Sequence, residues 1–204
     1  MRIGILGSGE VGQALARGLA RHDHEVVIGT RKEAVEDLPV SSPAEAVENA
    51  DLVFLSVVGT AAVDVVTDVR DRLSGKVVID TTNPLDFSSG APGLFVGHSD
   101  SLGEQVQRAI PEAHVVKAYN TVGNALMVDP DIPGGPPTML IGGDSDAAKG
   151  TVTDLLKSTG WDVVDLGGIE VSRYLEPMCI LWVLTGFRTG SWQHAFRLLR
   201  PETT

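Results

Sequence analysis

The amino-acid sequence predicts an α/β fold in which helices cover both faces of a mainly parallel sheet. Short apolar segments alternate with segments of helical periodicity through most of the 204 residues. An apolar run over residues 2–6 passes through Gly7-Ser8-Gly9-Glu10-Val11-Gly12 into a helical pattern over 13–20. The segment 52–57 is apolar almost throughout, which is typical of a parallel strand buried on both faces. Together these observations predict a doubly wound domain of the Rossmann type.

The glycine-rich turn after the first strand predicts a dinucleotide-binding site. Gly7 permits a tight turn, Gly9 lets the backbone approach a pyrophosphate, and Gly12 lets the helix pack against the strand. The helix N-terminus offers unpaired N–H groups to the phosphates. A purely structural glycine turn is the alternative. The predicted binding residues here are Gly7, Ser8, Gly9, Glu10, Val11 and Gly12.

The end of the second predicted strand, 25–28, favours NADP over NAD. NAD-binding folds of this type place an Asp or Glu there to hold the ribose 2′-hydroxyl. This chain instead has Thr30, Arg31 and Lys32. A hydroxyl and two cations suit a 2′-phosphate, which arginine can bind in bidentate fashion. A solvated Arg-Lys pair at a loop edge is the alternative.

The remaining pattern divides the chain into a cofactor-binding domain, 1–168, and a helical C-terminal segment, 169–204. Further strands are predicted over 52–57, 76–80, 114–119, 138–143 and 161–166. Helices are predicted over 42–49 and 60–73, from Ser101 onward, and from 144 or 145 to 159. In the C-terminal segment, Pro177 is expected to kink one helix or begin another, and a last helical piece is expected over 191–199. Its apolar residues could pack on the sheet edge, close the cleft or form a homodimer interface, and core packing is the favoured reading.

Ligands of such folds bind beyond the carboxyl ends of the strands, at the switch in strand order. Ser56 and Val57 are therefore expected on the adenosine and pyrophosphate side of the crevice. The first and fourth predicted strands are expected to flank the switch, which places Asn83 and Pro84 near the nicotinamide. Asn120 and Thr121 end the next strand and point into the same crevice. The glycine-rich loop 86–98 is either a lid over the second substrate or a mobile surface loop.

Composition excludes several function classes. The net charge is −11, and no basic patch of the kind that nucleic-acid binding needs is visible. The single cysteine, Cys179, excludes an internal disulfide and a cysteine-based metal site. No apolar run is long enough to span a bilayer, and residues 2–6 are too short for a signal peptide. These features predict a cytoplasmic protein with a small-molecule substrate, and no nucleic-acid or membrane partner.

Several motifs occur in an order that resembles the NADPH-dependent deazaflavin (coenzyme F420) reductase family. They are the glycine turn, 29–32, 82–84, 117–121, 142–144 and 173–177. The chain is also similar to the soluble domains of membrane ferric reductases. The resemblance implies hydride transfer between NADP(H) and coenzyme F420 or a flavin. It further implies that Thr30, Arg31 and Lys32 hold the ribose phosphate, and that the C-terminal segment partly covers the deazaflavin.

The sequence contains no recognisable nucleophile set, metal cluster or carboxylate pair, so no catalytic acid, base or metal ligand is predicted. Hydride transfer between two bound rings needs only proximity, orientation and exclusion of water. Asn83, Pro84, Asn120 and Thr121 are then positioning residues. Two alternatives stay open: a non-enzymatic NADP(H) sensor, and a reductase of a small carbonyl or imine whose cleft a second subunit completes.

Overall fold

The structure is a computed structural model that describes residues 1–201. The last three residues of the predicted C-terminal segment, 202–204, lie outside the described part. The strands are β1 (Arg2–Leu6), β2 (Glu25–Gly29), β3 (Val40–Ser41), β4 (Leu52–Leu55), β5 (Val77–Asp80), β6 (Leu85–Asp86), β7 (Gly93–Leu94), β8 (His114–Lys117), β9 (Thr138–Ile141) and β10 (Asp162–Asp165). The α-helices are α1 (Glu10–Ala20), α2 (Pro43–Glu48), α3 (Ala62–Asp68), α4 (Arg70–Leu73), α5 (Leu102–Ala109), α6 (Asp146–Ser158) and α7 (Ser172–Thr189).

A six-stranded parallel sheet confirms the predicted α/β, Rossmann-type fold. Its strand order is β3-β2-β1-β4-β5-β8, and every neighbouring pair runs parallel. One apolar cluster contains Leu15 and Leu19 of α1 together with residues of α6. A second contains Val66 of α3 and Val106 of α5. Both clusters include side chains of the sheet, so helices bury both faces of it.

The strand next to the switch in strand order differs from the prediction. The sequence predicts that 76–80 is the fourth strand and lies next to β1. In the structure, β1 pairs with β2 on one side and with β4, the predicted strand 52–57, on the other. The discrepancy arises from β3, a two-residue strand that pairs with the end of β2. A strand of two residues is too short to show a period-two pattern in the sequence. Without it, the predicted number of every later strand is one lower than its number in the structure.

Two predicted elements are more broken in the structure than in the sequence pattern. The helix expected over 60–73 is a 3₁₀ turn (Gly59–Ala61) followed by α3 and α4, with Val69 at φ −120° between them. The loop 86–98 contains the second strand of the short antiparallel hairpin β6–β7, in which Leu85 pairs with Leu94. β9 and β10 form a separate parallel pair, and an isolated bridge between Lys117 and Gly142 links them to the main sheet.

The C-terminal segment is one helix followed by an extended tail. α7 runs without a break through Pro177 and ends at Gly190 in the left-handed conformation (φ 69°). The helix predicted over 191–199 is wrong, because these residues have no regular secondary structure. They lie instead along the edge of the β9–β10 pair, where Thr138 N donates to the Phe196 carbonyl (2.9 Å). No helix in residues 1–201 has the length and apolar character needed to cross a membrane.

Candidate functional site

The glycine-rich turn forms a cradle that larger residues would obstruct. Gly7 has φ +123°, and a Cβ there would lie 2.2 Å from the Ser56 carbonyl oxygen. A Cβ on Gly12 would lie 2.2 Å from the Gly7 carbonyl oxygen, so α1 packs directly on the turn. A Cβ on Gly9 would meet nothing within 4 Å, because its backbone faces open space. No side chain within residues 1–201 caps α1, so its first N–H groups have no side-chain acceptor, which suits a helix start that binds a pyrophosphate.

A cleft of about 750 Å³ runs from this turn past the ends of β4 and β5. It brings together most of the residues predicted from the sequence: Gly7, Ser8, Gly9, Glu10, Val11, Arg31, Ser56, Val57 and Asn83. Six others do not line it: Gly12, Thr30, Lys32, Pro84, Asn120 and Thr121. Of these, Pro84, Asn120 and Thr121 are buried behind the cleft wall.

A second cavity of about 660 Å³ adjoins the cleft at the end of β2 and is lined by Thr30 and Arg31. The Thr30 hydroxyl donates to the Ser8 hydroxyl (3.1 Å) and accepts from the Lys32 backbone N–H (3.2 Å). Arg31 and Lys32 are exposed, and neither forms a salt bridge within residues 1–201. Two cations without an acidic partner suit a phosphate dianion.

Asp64 and Asp68 of α3 line the same cavity as Arg31, which the sequence reasoning missed. They lie on a helix whose apolar stripe faces the core, so periodicity alone could not show which surface they border. Two carboxylates beside the predicted 2′-phosphate position oppose its negative charge. Arg31 is the cationic side chain among the residues that line this cavity.

The two predicted asparagines form one hydrogen-bonded unit. Asn83 Nδ2 donates to the Asn120 carbonyl (2.8 Å), and Asn120 Nδ2 donates to Asn83 Oδ1 (3.2 Å). Asn120 Nδ2 also donates to the Leu175 carbonyl of α7 (2.7 Å). Asn83 lines the cleft and Asn120 is 3% exposed, so Asn120 fixes the amide of Asn83 and joins it to the C-terminal helix.

A fully buried ion cluster lies behind the cleft and was not predicted as part of the site. Lys117 Nζ lies 2.9 Å from Asp80 Oδ2 and 2.8 Å from Glu176 Oε1, and the three side chains are at most 1% exposed. Burial alone would lower the pKa of Lys117, but the two carboxylates together raise it above its usual value, so the lysine is charged. The sequence held one signal, because Asp80 and Lys117 are charged residues at the ends of the apolar strands β5 and β8. Their pairing in register is visible only in the structure.

Further hydrogen bonds to the two carboxylates connect the ion cluster to the cleft and to α5. Asp80 Oδ1 accepts from the backbone N–H (2.9 Å) and hydroxyl (2.6 Å) of Thr82, a cleft residue. Glu176 accepts from the N–H groups of Leu102 (3.0 Å) and Gly103 (2.8 Å) at the start of α5. The cluster therefore fastens α7 to α5 and to the strand ends that form the cleft floor.

Comparison with known proteins agrees with this geometry. A sequence model of the family described as "NADP oxidoreductase coenzyme F420-dependent" matches residues 2–84. The F420-dependent NADP reductase of Methanothermobacter marburgensis is 31% identical over 209 residues, which cover 90% of this chain and 91% of that protein. The chain belongs to the F420-dependent NADP reductase family. The resemblance inferred from the motifs is thereby confirmed.

A solved structure supports the family assignment over the whole chain. A crystal structure described as a putative F420-dependent NADP reductase, from Arthrobacter sp. FB24, has a TM-score of 0.92 and 37% identity, covering 98% of this chain and 100% of that one. Imine reductase from Streptomyces aurantiacus, at 15% identity and a TM-score of 0.65, shares only the fold.

This chain also resembles part of a larger protein. Metalloreductase STEAP3 of Rattus norvegicus is 30% identical over 184 residues, which cover 87% of this chain and 36% of that protein. The chain thus spans about a third of the length of that relative.

Proposed function

We propose that this protein transfers a hydride between NADPH and the deazaflavin coenzyme F420, or a flavin-like acceptor. The observation that carries the proposal is the continuous cleft from the glycine cradle and Arg31 to Asn83, in a chain 31% identical to an F420-dependent NADP reductase. The proposal assigns the cleft to NADP(H) and leaves its end beyond Asn83 to the acceptor.

The cradle suits the pyrophosphate of NADP(H) because the open backbone at Gly9 and the uncapped start of α1 offer N–H donors to it. Arg31 and Lys32 hold the 2′-phosphate beside Thr30, whose hydroxyl is fixed by Ser8. Ser56 and Val57 border the adenosine side. Glu10 and Val11 line the cleft at the first turn of α1.

The nicotinamide end of the cleft is formed by Asn83. Its amide is held by Asn120, and Thr82 beside it is held by Asp80. The chemistry that the bound nicotinamide supplies is donation of a hydride to the acceptor ring, with a proton taken from solvent. The side chains of this protein contribute orientation and proximity, which alone lower the barrier of a reaction between two bound rings. Pro84 restricts the backbone directly after Asn83, and Thr121 is buried next to Asn120.

An anaerobic assay with three acceptors tests the proposed function. NADPH is mixed with the protein and with oxidised coenzyme F420, FMN or riboflavin, and loss of acceptor absorbance is followed. Rapid reduction of coenzyme F420 supports the proposal. Reduction of the flavins alone would make the protein a flavin reductase, and tight NADPH binding without any reduction would contradict the proposed reaction.

The choice of NADP is tested by replacing both cations. Arg31→Ala together with Lys32→Ala removes the two positive charges at the 2′-phosphate position while leaving the glycine cradle intact. We expect NADPH binding to weaken about 100-fold, as for two lost charge-assisted contacts, and NADH binding to change little. Equal weakening of both nucleotides would refute this assignment.

We also propose a homodimer formed through α7. The exposed fractions of Tyr174, Leu181, Leu184 and Phe187 are 75%, 58%, 46% and 60%. Tyr174, Leu181 and Leu184 recur at helical spacing, and a two-fold axis would pack this apolar face against its own copy. Light scattering should give a dimer for the native protein and a monomer for Leu181→Glu. Leu166→Glu, on a residue 43% exposed outside α7, is the matched control. A monomeric native protein would contradict the dimer.

The cytoplasmic location and the division at residue 168 stay predictions.

A further inference from the structure

Two exposed apolar side chains stand at the rim of the cleft near Asn83. Val58 is 71% exposed and Phe87 is 50% exposed, and both line the cleft together with half-buried Leu85. Apolar surface at the mouth of a ligand cleft is typical of ligand recognition, because a bound molecule removes it from water. The proposed binding of NADP(H) accounts for the glycine cradle and Arg31, but not for this rim.

Close contact between two loops places these side chains on one rim. A Cβ on Gly59 would lie 2.1 Å from the Asn83 carbonyl oxygen, so the backbones of the two loops touch at this point. Val58 directly precedes Gly59, and Phe87 follows Asn83 by four residues. The contact therefore joins the apolar rim to the polar residue proposed for the nicotinamide end.

The backbone around Phe87 is well fixed. The Asp86 carboxylate accepts from the N–H (2.8 Å) and the hydroxyl (3.0 Å) of Ser88, which lowers the pKa of Asp86. Gly90 N donates to the Phe87 carbonyl (3.0 Å), which closes a tight turn after β6. A half-exposed ring on a fixed turn loses little conformational entropy when a ligand packs against it.

We propose that Phe87, with Val58 beside it, is a specificity-determining residue that forms the apolar wall for the flat ring of the hydride acceptor. This inference rests on the proposed function. Hydride transfer requires the two reacting rings to lie about 3–3.5 Å apart, so the acceptor ring must lie against the nicotinamide. With the nicotinamide at Asn83, the adjoining surface is the Val58–Phe87 rim. An aromatic side chain favours a planar partner through offset or edge-to-face contact.

Binding titrations test the wall separately from turnover. The protein saturated with NADP⁺ is titrated with oxidised coenzyme F420 and followed by deazaflavin fluorescence; NADPH binding is titrated alone. We expect Phe87→Ala to weaken coenzyme F420 binding about tenfold and to leave the Kd of NADPH within about twofold. Phe95→Ala, on a second phenylalanine just beyond the hairpin and 43% exposed, is the matched control and should change neither.

A second variant keeps the test independent of the hairpin. Val58→Ser lies on the other loop and should weaken coenzyme F420 binding about threefold without affecting NADPH. The wall would be refuted if both variants, Phe87→Ala and Val58→Ser, bound coenzyme F420 with the native Kd. It would also be refuted if the variants weakened NADPH binding as much as coenzyme F420 binding. If the native protein binds coenzyme F420 through Phe87 but transfers no hydride, the proposed function fails and the wall stands. If hydride transfer proceeds and both variants bind as the native protein does, only the wall fails.

Discussion

The buried ion cluster of Asp80, Lys117 and Glu176 gives the sharpest prediction for stability. Lys117→Met keeps the apolar stem and removes the charge that lies 2.9 Å and 2.8 Å from two buried carboxylates. Removing one partner of a buried ion pair costs about 3–5 kcal/mol, since the remaining charge stays buried without compensation. Asp80 and Glu176 each keep two further hydrogen-bond donors, which places the expected loss near the lower end, about 3 kcal/mol.

Lys149→Met is the matched control because it makes the same chemical change. The Lys149 side chain is itself only 9% exposed, but its partners Asp146 and Asp165 are 98% and 46% exposed. Because water screens both carboxylates, these two pairs contribute at most about 1 kcal/mol. For a chain of this size, about 3 kcal/mol corresponds to a fall in Tm of roughly 6–12 °C, against roughly 2–4 °C or less for the control.

Urea unfolding followed by circular dichroism measures both losses. The expected order is native, then Lys149→Met, then Lys117→Met, with unchanged m-values. Equal losses in the two variants, or a loss below about 1 kcal/mol in Lys117→Met, would refute the view that burial makes this cluster important.

Three further predictions follow from single side chains. Arg108 donates to the Asp100 carboxylate and lowers its pKa to about 2, from an ordinary value of 3.8. The resulting stability is present above about pH 4 and is lost as the pH falls towards 2. Asp100→Asn should therefore reduce the change with pH of the free energy of unfolding, measured with urea between pH 4 and 2. An unchanged pH dependence in the variant would contradict the assignment. Burial raises the pKa of the Cys179 thiol to about 12, so thiol reagents should modify it rapidly only after unfolding, and rapid native labelling would be inconsistent with its burial. Gly12→Ala should destabilise the protein by about 1–3 kcal/mol, because its Cβ would meet the Gly7 carbonyl oxygen. Gly150→Ala lies at an exposed position of α6 with nothing within 4 Å of the added Cβ, and should stabilise the protein by up to about 1 kcal/mol. Equal effects of the two variants in thermal unfolding would contradict the packing of Gly12.

The geometry of the glycine cradle was predictable from sequence because its causes are local. Each glycine serves a turn, a close approach or a helix contact within a few residues, and the strand and helix on either side confirm the pattern. The parallel strands were predictable for the same reason, since burial on both faces leaves continuous apolar runs such as Leu52–Leu55.

The parts that sequence reasoning missed depend on contacts between distant segments. Asn83 and Asn120 were both predicted at the crevice, but the hydrogen bonds between them, across 37 residues, were not. Glu176 accepts from Leu102, 74 residues away. No periodicity encodes such pairs. The tail 191–199 shows the opposite error: its spacing resembles a helix, but an available strand edge at Thr138 gives its backbone other partners.

The most direct test of the central claim follows the transferred hydrogen. NADPH carrying deuterium at the reacting position of the nicotinamide is mixed anaerobically with the protein and oxidised coenzyme F420, and the reduced deazaflavin is examined by mass spectrometry. Direct transfer between rings held in the cleft predicts that the deuterium appears in the reduced deazaflavin, and that Phe87→Ala slows this transfer while Phe95→Ala does not. Reduction without the label, with the deuterium released to solvent, or no reduction at all would contradict the account.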